Sequence, residues 1–194
     1  MPQTRRVLLA WLAAIAIVVI AALVYVRLER PVHGGVPSGA LAKLVPDAQP
    51  KAIADVAFTD GSGKGHKLSE FRGHYMLLNE WATWCAPCVR ELPALSHLQA
   101  AVGTQRLSVV PVNVGHSTAA ETAAFLKAHK AQLPVYLDNN SAFLHAFGAY
   151  GLPLTVLVDP HGREIARATG AVHWDAPDAI AWFRALSEAR HPAP

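Results

Sequence analysis

Cys85 and Cys88 are the two cysteines of this 194-residue chain, and they stand two residues apart in LLNEWATWCAPCVRELPAL, residues 77–95. Two thiols so spaced could form a structural staple, half of a metal site or a redox pair. A staple is a poor use of them, because a disulfide stabilises mainly by closing a long loop and this one closes almost nothing. A tetrahedral zinc site needs two more ligands, and with no further cysteine these must be histidines. The chain has ten histidines, His116 and His173 among them, but no two stand at the H-x₃₋₅-H spacing of such sites. The expectation is therefore thiol–disulfide exchange, with no metal and no cofactor.

That chemistry needs one acidic thiol and one in reserve. NEWATW reads as the end of a strand and APCVREL as the start of a helix, so Cys85 falls where strand becomes helix. There its sulfur faces unpaired N–H groups and the positive end of the helix, which favour the anion. A thiol of pKa near 8.5 is only about 3% thiolate at pH 7, whereas one of pKa near 7 is about half ionised. Cys85 is thus the nucleophile. Cys88, one turn further in, is suited to attack the resulting mixed disulfide. Ala86 and Pro87 between them help set the redox poise, since proline removes an N–H donor and fixes the turn. Trp84, adjacent to Cys85, is the candidate for a client-facing surface, and Trp81 reads as core.

The elements around the pair follow from hydrophobic periodicity. ADVAFTD and HKLSEF flank the turn GSGKG as a hairpin. HYMLLNEWA (74–82) is a nearly continuous apolar run, as in a strand buried on both faces, and a helix with Val89, Leu92, Leu95, Leu98 and Val102 on one side follows at once. RLSVVPVNVG (106–115) is a second buried strand, TAAETAAFLKAHKA (118–131) a helix, LPVYLD (133–138) a short strand and SAFLHAFGAY a short helix. LTVLVDPHGREIARATG (154–170) reads as two strands joined at DPHG, and APDAIAWFRALSEA (176–189) as an amphipathic closing helix. Strand–helix alternation implies parallel crossovers and the DPHG turn an antiparallel pair, hence a mixed sheet with helices on both faces.

The first fifty residues read differently. Residues 7–26, VLLAWLAAIAIVVIAALVYV, carry no charge, and 52% of the chain is hydrophobic with mean hydropathy +0.23. A helix of that length spans about 30 Å, the thickness of a bilayer's hydrocarbon core. The run is longer than a signal-peptide core and ends in bulky residues, so it is expected to remain as a single-pass anchor in the inner membrane. Residues 1–6, with Arg5 and Arg6, are placed in the cytoplasm and the rest in the periplasm. Residues 27–50 hold four prolines and three glycines and read as a linker to a domain over 51–190. Net charge is +3 and pI about 9.0, but no basic run interleaved with aromatics appears, so nucleic acid is not expected as a partner.

WATWCAPC, preceded by LLN and followed by VRELPAL, resembles the TlpA/ResA group of membrane-anchored, thioredoxin-like thiol–disulfide oxidoreductases, relatives of the cytochrome c maturation thioredoxin CcmG. The likeness runs on through residues 150–174, YGLPLTVLVDPHGREIARATGAVHW, which look most like TlpA. The resemblance implies a thioredoxin-like α/β fold behind a transmembrane helix, with Cys85 attacking and Cys88 resolving. Pro153 matches the cis-proline whose loop packs beside the cysteines, and the backbone of Leu152 would offer an edge to an extended client. Glu91 matches a glutamate that tunes thiol acidity, the alternative being a solvated charge in the first helical turn. Asn79 stands where thioredoxin has a buried acid. Glu80 departs from the group's apolar residue: either it is a proton acceptor beneath the cysteines with a raised pKa, or it points to an exposed edge.

Direction is not set by the fold, since thioredoxin and DsbA differ by about 150 mV, roughly 7 kcal/mol for two electrons. The resemblance implies a reductant. Its clients would be exported proteins with a cysteine pair, either copper-site proteins of respiratory oxidase assembly or apocytochrome c. A membrane thiol-reductant donor of DsbD/CcdA type would recharge it. The rivals are an oxidase or isomerase of the same fold and a copper-binding chaperone, against which the two-residue spacing argues.

Overall fold

The structure, a computed structural model, describes Trp11, residues 15–20 and residues 39–188. Trp11 and residues 15–20 are helical and exposed, and the rest of the 7–26 run lies outside the described residues. Among the described residues no helix is long and apolar enough to cross a membrane.

Residues 39–188 build one mixed sheet from β1 (Val45–Ala52), β2 (Ala57–Asp60), β3 (Gly65–Lys67), β4 (Tyr75–Trp81), β5 (Leu107–Asn113), β6 (Tyr136–Leu137), β7 (Leu154–Val158) and β8 (Arg163–Thr169), in the spatial order β1-β8-β7-β4-β5-β6-β2-β3. Its helices are α1 (Ala86–Val102), α2 (Ala119–Ala128), α3 (Ala142–Phe147) and α4 (Pro177–Glu188). Every residue of β4, YMLLNEW, is buried, which is why the run is almost wholly apolar. β4 runs parallel to β5 across the α1 crossover and antiparallel to β7. The β7–β8 hairpin closes at DPHG, where Asp159 Oδ1 accepts from the His161 and Arg163 backbone N–H at 2.9 and 3.0 Å and Gly162 takes φ 78°.

The pleat of β4 deals its side chains to two cores. Tyr75 and Leu77 meet Leu95 and Leu98 of α1 and Phe183 and Leu186 of α4, while Met76 and Leu78 meet Phe143 and Phe147 of α3. Helices therefore cover both faces. A third cluster, at the C-terminal end of β4, gathers Trp81, Cys85, Cys88, Leu92 and Leu126.

The domain begins earlier than residue 51. Leu41 and Leu44 are fully buried in the α1/α4 core, and β1 pairs antiparallel with β8 inside the stretch that reads as a linker. Its prolines, Pro46 and Pro50, are tolerated because an edge strand is paired on one side only, and the register breaks between Pro46 and Lys51.

Candidate active site

The end of β4 is fixed to the end of β5 by Val114 N–H donating to Trp81 O at 2.9 Å, and the turn that follows by Cys85 N–H donating to Ala82 O at 3.1 Å. Cys85 then occupies the N-cap of α1. Its Sγ accepts from the Cys88 N–H at 3.3 Å, where a serine or aspartate oxygen commonly stands. Pro87, in the first turn, forgoes an N–H that would be unpaired in any case. The sulfurs are joined at 2.02 Å, so the structure is the oxidised form. Cys85 is 5% exposed and Cys88 0%, which makes Cys85 the sulfur an incoming thiol or disulfide can reach. Once reduced, a Cys85 thiolate is stabilised by that N–H and by the helix N-terminus.

Two features border the pair. Trp84 is 71% exposed, and its Nε1 lies against Gly115 just past β5. A β-carbon on Gly115 would stand 2.9 Å from Ala82 Cβ, 3.0 Å from Asn113 Oδ1 and 3.3 Å from Trp84 Nε1, so glycine is required by close approach. On the other side the Leu152–Pro153 bond is cis, and Leu152 packs against the cluster that contains both cysteines.

Glu91 lies one turn beyond Cys88 on the same face of α1 and is 3% exposed, so it is no solvated charge. Its Oε1 accepts from Asn79 Nδ2 at 2.7 Å, and its Oε2 from Val172 N–H and Trp174 Nε1–H, each at 3.1 Å. The other Asn79 Nδ2 proton goes to Thr155 Oγ1 at 2.9 Å. Burial pushes Glu91 up to about 7, against the pull of the Asn79 amide, the Val172 N–H, the Trp174 indole and the charge of Lys43. It is a carboxyl poised to exchange a proton near neutrality.

Glu80 is also buried, at 0% exposure, which rules out an exposed edge. It is not beneath the cysteines either. Alternation along β4 sends Asn79 and Trp81 to the α1 side and Glu80 to the α3 side with Met76 and Leu78. Neither of its oxygens has a hydrogen-bond partner among the described residues. Burial, then the nearby Asp138 charge, pushes it up to about 8, with Arg167 opposing.

Cys85, Cys88, Glu91, Trp84, Ala86, Pro87, Leu152 and Pro153 thus gather around one helix end, and Glu80 does not join them. Spacing gave no sign of Thr155, Val172 or Trp174, which reach Glu91 or Asn79 from 76 to 83 residues away in sequence.

Residues 48–167 match the AhpC/TSA family. The chain is 35% identical over 113 residues to the thiol-disulfide oxidoreductase ResA of Bacillus subtilis (strain 168), covering 58% of this chain and 63% of that relative. It is 32% identical over 118 residues to ResA of Geobacillus thermodenitrificans (strain NG80-2), covering 61% and 67%. A solved Chlorobium tepidum structure assigned as a thiol:disulfide interchange protein DsbE superposes with a TM-score of 0.63 at 25% identity, over 72% of this chain and 97% of that one. The sheet order, the helix-capping cysteine and these likenesses together make the fold thioredoxin-like and the chain TlpA/ResA-like.

Proposed function

The chain belongs to the AhpC/TSA family, and within it we propose that Cys85 and Cys88 form a thiol–disulfide reductant of ResA type acting on exported clients. The observation that carries this reading is the Cys85 sulfur at the N-cap of α1, with Cys88 and then Glu91 buried behind it along the same helix. In the reduced protein the Cys85 thiolate attacks one sulfur of a client disulfide. An S–S bond forms to Cys85, the client's own S–S bond breaks, and its second sulfur leaves as a thiolate that takes a proton from water. Cys88 gives its proton to the Glu91 carboxylate and attacks Cys85 Sγ. The Cys85–Cys88 disulfide forms and the client's first sulfur departs, protonated in turn at the expense of Glu91. Two electrons have passed to the client and none of the four sulfurs is lost.

Trp84 and the Leu152 backbone flank the sulfur that the client must reach, and an extended client segment running over Ala86–Pro87 fits between them. We further propose that residues 7–26 anchor the chain singly in the inner membrane with the catalytic domain in the periplasm. A membrane donor of DsbD/CcdA type would then re-reduce the pair, and the clients are copper-site proteins of oxidase assembly or apocytochrome c. The test is disulfide trapping with the full-length Cys88→Ala variant, together with the reduction potential of the parent. The expected result is a client held through Cys85 and a potential well below that of DsbA. A potential near DsbA's, about −120 mV, overturns the reductant reading, and a Cys88→Ala variant that captures nothing through Cys85 overturns its role as nucleophile.

A further inference from the structure

The segment Gly170–Trp174, between β8 and α4, touches both halves of this site. At its start Gly170 N–H donates to the carbonyl of Pro153 at 2.8 Å, so it is fastened to the loop bordering the cysteines. At its end Val172 N–H and the Trp174 indole N–H both donate to Glu91 Oε2 at 3.1 Å. Lys43 Nζ holds the Ala171 carbonyl at 3.0 Å. Trp174 is 0% exposed and packs on Phe183 of α4 with ring centroids 6.2 Å apart, so its N–H is aimed by the core and not by solvent.

We propose that Trp174 is a positioning residue for the thiol–disulfide reaction, holding the Glu91 carboxylate in place and setting how readily it takes the Cys88 proton. This rests on Glu91 being the proton acceptor. N–H groups donate and cannot accept, so three of them fixed on one carboxylate favour the anion and offer nothing to its protonated form. Oε2 is occupied by two such donors and Oε1 by one. The incoming proton is therefore carried on Oε1, beside Asn79, while Trp174 and the Val172 amide keep Oε2 as a fixed acceptor. Among the described residues, the charge outside α1 that acts on Glu91 is that of Lys43; on the segment itself His173 is exposed, and α1 contributes the cysteine pair. Losing the indole N–H removes a donor to the anion, so Glu91 becomes a stronger base, protonated to higher pH.

The experiment follows the reaction of the reduced full-length protein with DTNB by stopped flow. The first thionitrobenzoate release reports Cys85 attack and the second reports Cys88 resolution. In the parent the second phase should bend with pH near neutrality. The bend should vanish in Glu91→Gln and move up by about one pH unit in Trp174→Phe, with the first phase little changed. In the oxidised parent the Trp174 indole ¹H–¹⁵N resonance should titrate with Glu91, and in Glu91→Gln it should stay flat; this needs no change at Trp174 and decides the matter should Trp174→Phe fail to fold. If Glu91→Gln keeps the parental bend, the acceptor reading falls and this proposal with it. If Glu91→Gln loses the bend while Trp174→Phe matches the parent, or the parental indole resonance does not titrate, the proposal for Trp174 alone is overturned.

Discussion

Replacing Glu80 by leucine should stabilise the protein, and by an amount that grows with pH. Glu80 is wholly buried, its two oxygens have no hydrogen-bond partner among the described residues, and its carboxyl is pushed from the usual 4.5 up to about 8. In the unfolded chain it ionises near 4.5, whereas in the fold it keeps its proton until pH approaches 8. Between those values the unfolded state sheds a proton that the native state retains, so stability falls as pH rises and levels off above 8. The difference, about 3.5 pH units at 1.36 kcal/mol each, is on the order of 5 kcal/mol. Leucine has a similar volume and no charge to desolvate, so Glu80→Leu lacks this loss and also removes two unsatisfied acceptors, worth about 1–3 kcal/mol at any pH. Glu91 titrates in the same range but in both proteins, and on the opposite face of β4, so it cancels in the comparison. Urea unfolding of parent and variant with the disulfide intact, at intervals from pH 5 to about 8.5, gives the difference directly. It should widen by several kcal/mol towards alkaline pH. Parallel stability curves would refute the placement of Glu80 in a dry core beside Asp138.

Two further outcomes separate the client surface from its support. Trp84→Ala removes an exposed ring and should alter folding stability by no more than about 0.5 kcal/mol while weakening capture of clients in the Cys88→Ala trap; an unchanged trapping yield would remove Trp84 from the client surface. Gly115→Ala sets a methyl 2.9 Å from Ala82 Cβ and 3.0 Å from Asn113 Oδ1, so a fall in stability of about 1–3 kcal/mol is expected, read by urea unfolding, with a shift in Trp84 fluorescence. A stable variant with unchanged emission would mean that the loop after β5 does not press on the indole.

Much of the site was legible because it is local. The C-x-x-C pair, the apolar run before it and the apolar spacing after it lie within about thirty residues, and they correctly place Cys85 at a strand-to-helix junction. The hidden parts are those that fold in from afar. Nothing in the spacing of Asn79, Glu91, Thr155 and Trp174 announces a shared carboxylate, because each contact depends on which strands become neighbours. Glu80 is different: period-two alternation along β4 already separates it from Asn79 and Trp81, so its face was readable once the strand was assigned. The segment before residue 51 misled through composition, since Leu41 and Leu44 are too few to show periodicity and the prolines of β1 mimic a linker.

That segment bears on any attempt to study the catalytic portion in isolation. Cutting at residue 51, as composition would suggest, deletes two core leucines and uncovers the outer side of β8, leaving a row of unpaired amides and carbonyls open to other chains. The ladder would then invite intermolecular sheet growth, and a fragment that precipitates for this reason would be mistaken for one that needs residues 1–38 to fold. A boundary placed ahead of Gly39 keeps β8 covered by β1, whose prolines make it a poorer template for another chain.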